Sequence, residues 1–169
     1  MFLAALVVAI SFLAACSGGS KDTIVSKWKI SDIQSPQMDR GFAKLDAQIA
    51  ALGDSITAAG ADTTKAASFK SQKDMYESQK TMMNSMMDKM KAEGWMEFTK
   101  EGKFKQNFGG NEEEGTYSLD EAGKMLMTID AKGNNDTLNI DELTASALTL
   151  SNPKDSTKIM FTADAGEAK

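Results

Sequence analysis

The stretch 95-WMEFTKEGKFKQNFGGNEEEGTYSLDEAGKMLMTID-130 decides the fold. Trp95-Met96-Glu97-Phe98-Thr99 is a short apolar run broken by Lys100-Glu101-Gly102, which has the chemistry of a tight turn. Phe104, Gln106 and Phe108 then share one face against Lys103 and Lys105 on the other. Such period-2 alternation marks a strand with one face buried. Gly109-Gly110-Asn111 and the glutamates Glu112, Glu113 and Glu114 are expected to form a loop. Residues 115–119 make the next strand, and Asp120-Glu121-Ala122-Gly123 the next turn. Met125, Met127 and Ile129 alternate in turn. Downstream, Lys132-Gly133-Asn134-Asn135-Asp136 leads into a strand over 137–141, and 147–150 and 158–162 follow across Asn152-Pro153-Lys154-Asp155. Upstream, residues 24–31 alternate with Ile24, Trp28 and Ile30 on one face and Lys27 and Lys29 on the other. That is eight strands, seven of them consecutive. Short strands with turn-rich joints imply an antiparallel barrel or sandwich. Eight is also a number whose closed barrel is filled by side chains or holds one small ligand.

Between the first two strands the period changes. Phe42, Leu45, Ile49, Leu52 and Ile56 are spaced three and four apart, one apolar stripe of an amphipathic helix. Asp39 stands where an N-cap is expected, and Gly53 is compatible with a break that the stripe runs past. Gly60-Ala61-Asp62-Thr63-Thr64 is a turn, and a second helix is expected from about Lys65 to Ala92. In it Phe69, Tyr76, Met83 and Met90 fall seven apart, with Met86 and Met87 thickening the stripe. Over residues 35–93 there are 8 acidic and 8 basic side chains, so the net charge of -5 arises elsewhere. Two stripes joined by a short turn predict an antiparallel helical hairpin over about 36–93.

Residues 24–31 and 95–162 together resemble the lipocalin-like domain of small bacterial lipoproteins. The resemblance is carried by Val25-Ser26-Lys27-Trp28-Lys29-Ile30, by Phe98-Thr99-Lys100-Glu101-Gly102-Lys103-Phe104, and by Gly115-Thr116-Tyr117-Ser118-Leu119. Ile140-Asp141-Glu142-Leu143-Thr144 running into Ala147-Leu148-Thr149-Leu150 completes it. It covers roughly half the chain and implies a small up-and-down barrel on a lipid tether. The expected fold is mainly β with an α insert (α+β): an eight-stranded antiparallel lipocalin-like up-and-down barrel, residues 23–169, with a two-helix hairpin between strands 1 and 2. A bare barrel lacks that hairpin.

Residues 2–15 carry no charge and end in Leu13-Ala14-Ala15-Cys16. About ten apolar residues are too few to span a bilayer, which takes roughly 20 in a helix. A short apolar run closed by small residues suits a cleaved export signal over 1–15. The four-residue ending resembles the bacterial lipobox. That implies diacylglycerol on the Cys16 thiol, cleavage before it, and an acyl chain such as palmitate on the new N-terminus. No basic residue precedes the apolar run, where that pattern ordinarily has one. Cys16 is the one cysteine, so no intrachain disulfide is available, and residues 16–22 are expected to serve as the lipidated tether. Ser17 rather than Asp follows it, which resembles an outer-membrane sorting signal. The membrane, reached through this lipid, is the first expected partner.

The acidic balance argues against nucleic acid, whose binding relies on Lys and Arg on phosphates. The absence of histidine removes the commonest general base and metal ligand. No nucleophile elbow, phosphate-binding loop or dinucleotide fingerprint occurs. A non-catalytic chain without cofactor or metal is therefore expected. Five of its 12 methionines lie in residues 82–90. Thioethers bind Cu(I), but no His or Cys accompanies them, and packing or interface use is the stronger reading. Glu112, Glu113 and Glu114 are expected at a solvated hairpin tip, and residues 130–136 as a turn rather than an ion loop.

Two functions follow. In one, the barrel binds a small apolar ligand lined by Trp28, Phe104, Phe108 and Tyr117, with Tyr76, Met83, Met86, Met87 and Met90 as a lid. In the other, the barrel core is solid and the same Met-rich helix docks an envelope protein.

Overall fold

In the computed structural model, which describes residues 20–164, the alternating segments form eight antiparallel strands. They are β1 (Lys27–Gln34), β2 (Trp95–Phe98), β3 (Lys103–Phe108), β4 (Asn111–Leu119), β5 (Met125–Asp130), β6 (Asn135–Leu143), β7 (Ala147–Ser151) and β8 (Lys158–Ala163). Each pairs with its sequence neighbours, and β8 closes on β1, so the sheet is an up-and-down barrel rather than a sandwich. Closure gives every strand a neighbour on both sides along at least part of its length. A single helical turn, α1 (Ser20–Thr23), precedes β1, and α2 (Pro36–Ala59) and α3 (Thr63–Glu93) form the hairpin between β1 and β2.

Several boundaries differ from the sequence expectation, each for a local reason. β1 starts at Lys27, not at residue 24. Ile24 is fully buried outside the strand, where its carbonyl accepts a 2.9 Å hydrogen bond from the Trp28 indole nitrogen. A bulge between Ile30 and Asp32 then shifts the inward positions from Ile30 to Ile33. The glutamates 112–114 are not in a loop: β4 begins at Asn111 and pairs them with β3. The turn is only Gly109-Gly110, at φ 73 and 100, and a two-residue turn with both φ positive favours glycine at both positions. α2 begins at Pro36 with Ser35 at the cap position; Asp39 lies one turn inside and donates its N–H to the Ser35 carbonyl. The helix passes Gly53 unbroken. α3 is capped by Asp62, whose carboxylate accepts from the Lys65 N–H at 3.1 Å.

β2 is too short to complete the wall. It pairs with β1 only over Lys27–Lys29, leaving the upper half of β1 unpartnered on that side. The last turns of α3 occupy the gap. The Ile30 N–H donates to the Gly94 carbonyl at 3.0 Å, Lys91 pairs with Asp32 at 2.6 Å, and Met87 and Met90 pack on the barrel core. The rest of the hairpin is held mainly by its own stripes, and Leu45 is the one buried residue in its two helices. At 1.5 Å per residue, the 31 residues of α3 span about 46 Å.

The topology gives the barrel two unlike ends. One carries α1 and the β2–β3, β4–β5 and β6–β7 turns. The other carries the helical hairpin and the β3–β4, β5–β6 and β7–β8 turns. The bulky, almost wholly buried side chains of Trp28, Phe98, Leu148 and Phe161 belong to the first end. That end is closed.

Candidate functional site

Above this plug the barrel is hollow. A cavity of about 320 Å³ opens at the end that carries the hairpin. Its floor is apolar: Met96, Phe104, Leu138, Leu150 and Ile159, with Phe108 higher on the wall. Its mouth is polar: Gln106, Glu113, Thr128, Asn134, Asn152 and Thr157, together with the carboxylates of Asp130, Asp136 and Asp155. The volume falls at the small end of ligand pockets, roughly 300–1,000 Å³.

Strand periodicity puts each of these groups inside. On β3 the inward positions are Phe104, Gln106 and Phe108; on β5 they are Leu126, Thr128 and Asp130. Gln106 stands opposite Glu113 across the β3–β4 ladder, and its amide donates to Glu113 Oε2 at 2.9 Å. Asp130 accepts from the backbone N–H of Lys132 and Asn134 and from the Asn134 side chain, each at 2.8 Å. These bonds, the Asn134 side chain first, hold its carboxyl below the usual carboxylate range. Asp136 accepts from the Thr137 N–H at 3.0 Å and lies 3.4 Å from the Lys154 ammonium, and Asp155 accepts from the Thr157 N–H at 2.8 Å. Among the described residues, no three His, Cys, Asp or Glu side chains gather as a metal site.

No protein-family model and no curated protein matches the chain. Solved structures do. A lipocalin-like protein from Bacteroides uniformis is 21% identical over 42% of this chain and 78% of that one, at a TM-score of 0.35. A DUF4847 family protein from Bacteroides vulgatus is 14% identical over 88% of this chain and 100% of that one, at 0.47. A further protein from Bacteroides uniformis is 18% identical over 44% and 74%, at 0.37.

The expected lining residues divide between the two ends. Phe104 and Phe108 line the cavity; Trp28 and Tyr117 do not. Trp28 is wholly buried in the plug. The Tyr117 hydroxyl donates to the Thr99 carbonyl at 3.0 Å, and its ring meets Phe98 edge-on at 4.9 Å. Burial, and then the charge of Glu101, raises the Tyr117 pKa above its ordinary value.

The Met-rich stripe divides as well. Tyr76, Met83, Met87 and Met90 are half-buried on the inner side of α3. Met86 is instead exposed at 63%, beside Met82 at 68% and Met75 at 57%. None of these residues lines the cavity; Met87 and Met90 pack against the barrel core instead. Cys16 lies outside the described residues, as do residues 16–19 of the expected tether; its remaining residues, 20–22, belong to α1.

The polar mouth was the part missed. By composition Glu113, Asp130, Asp136 and Asp155 belong to loops and turns, where charge is ordinary. Across the two-residue glycine turn Phe108 stands opposite Asn111, so the inward row resumes at an odd number and includes Glu113. A period-2 count along β5 from Leu126 places Asp130 inside.

Proposed function

We propose that this chain is a lipid-anchored cell-envelope lipoprotein whose barrel holds a small ligand by its apolar part, without catalysis. The observation that carries the reading is the cavity: an apolar floor, closed below by the Trp28 plug and open to solvent above. A solid barrel would have no such space. Lipidation at Cys16 and outer-membrane location rest on Leu13-Ala14-Ala15-Cys16 and on Ser17. The test of the barrel is native mass spectrometry on protein taken gently from its envelope after removal of the anchor. A stoichiometric small molecule, released by solvent extraction, is the expected result. A clean apo mass together with no binding of apolar probes would sink the reading. For the anchor, Cys16→Ser is expected to abolish incorporation of labelled palmitate and to release the protein from the membrane fraction. Unchanged labelling would refute it.

A second reading has its own observation. Met75, Met82 and Met86 form an exposed apolar row on α3, a surface suited to docking an envelope protein. Replacing all three by glutamine would then remove a cross-linked partner without touching ligand binding.

A further inference from the structure

The walls of the cavity carry charge of one sign. Glu113, Asp130, Asp136 and Asp155 line it, and no lysine or arginine does. Lys154 meets Asp136 from outside the lining, with its own side chain 75% exposed. The four carboxylates come from β4, β5, β6 and the β7–β8 turn, so they line one side of the mouth instead of meeting at a point. A hard metal ion needs several oxygens converging within roughly 2.0–2.6 Å, and no such gathering exists among the described residues. This acidic side stands over an apolar floor reached by Phe104, Leu138 and Leu150. A concave opening lined by one sign of charge focuses the field of its charges, which draws cations in and turns anions away.

We infer that the cavity takes an amphiphilic organic cation, with an ammonium or amidinium head among the carboxylates and an apolar body on the floor. This rests on the ligand-binding reading and gives it a chemical class. A simple fatty acid would set its own carboxylate against four others. A purely apolar molecule would gain nothing from the carboxylates.

Octylammonium, octanoate and octanol share a chain and differ in the head, so they separate the possibilities. Titrated at low salt and followed by amide chemical shifts, octylammonium is expected to bind at least about tenfold more tightly than octanoate. The shifts are expected at Phe104, Leu138 and Leu150. The double variant Glu113→Gln/Asp136→Asn is expected to weaken octylammonium about fivefold or more while leaving octanol unchanged. If octanoate or octanol binds as tightly as the amine, the charge class is wrong and ligand binding stands. If the amine perturbs only the methionines of α3, the class is also wrong. If none of the three reaches the cavity, both readings fall.

Discussion

At the closed end, the inward positions of β1, β2, β7 and β8 hold Trp28, Phe98, Leu148 and Phe161, each no more than 2% exposed. At the mouth, the inward positions of β3, β4, β5 and β6 hold Gln106, Glu113, Asp130 and Asp136. One sheet and one alternation thus serve two environments. Alternation decides only which way a side chain points. What it meets there depends on its height in the barrel. The plug supplies apolar burial, the dominant favourable contribution to folding, which leaves the mouth free to carry groups that a core would not tolerate.

The largest effect is expected from the plug. Trp28→Ala removes the biggest buried side chain and the hydrogen bond to Ile24, and is expected to cost about 3–5 kcal/mol in urea unfolding. A loss under about 1 kcal/mol would mean that the two ends are not energetically distinct. Next comes Gly115, inside the barrel between the two regions. A Cβ there would overlap the Ile129 carbonyl oxygen and lie 2.8 Å from the Phe104 ring. Gly115→Ala is expected to cost about 1–3 kcal/mol by the same measurement. An unchanged midpoint would show that β4 and β5 can spread at this level. At the mouth, Glu113→Gln is expected to change stability by no more than about 0.5 kcal/mol, since it replaces a wet group whose one hydrogen bond is to an amide. A larger loss would make the mouth part of the folding core.

The smallest effect concerns acid. Asp141 is held below its ordinary value of 3.8, first by the Lys158 ammonium at 2.7 Å and then by the Ser151 hydroxyl. A depressed carboxyl stabilises the fold fully above the unfolded pKa, and that contribution is lost as pH falls through the folded one. The loss therefore falls below about pH 4. Because the pair is part-exposed, Asp141→Asn is expected to cost less than about 1 kcal/mol at neutral pH and nothing at the acid limit. A cost that persisted at the acid limit would assign Asp141 a packing role instead.

The barrel was legible in the sequence because alternation recurs in short runs through seven consecutive strands, with one shift between Ile140 and Glu142, and the helical insert because its stripes change period. The polarity of each face was harder to read. On β5, Met125, Met127 and Ile129 face outward at 39–50% exposure, while Thr128 and Asp130 face the cavity. A rule that buries the apolar row fails where a strand climbs from a packed floor into a wet mouth. Glu112, Glu113 and Glu114 were misassigned for a related reason. Three carboxylates in a row have the composition of a loop, and only the two-residue glycine turn returns them to the ladder. Trp28 and Tyr117 were placed correctly as inward residues, but strand periodicity does not distinguish a plug from a lining.

The turn α1 lies at the closed end, where a Cβ on Gly123 of the β4–β5 turn would run into the Ser20 side chain. With the proposed lipid on Cys16, four peptide steps separate anchor and α1, at most about 14 Å. The barrel would then stand on the bilayer base down, its opening turned toward water and the helical mast raised beside it. Cargo would be loaded from the aqueous compartment and not from the leaflet beneath.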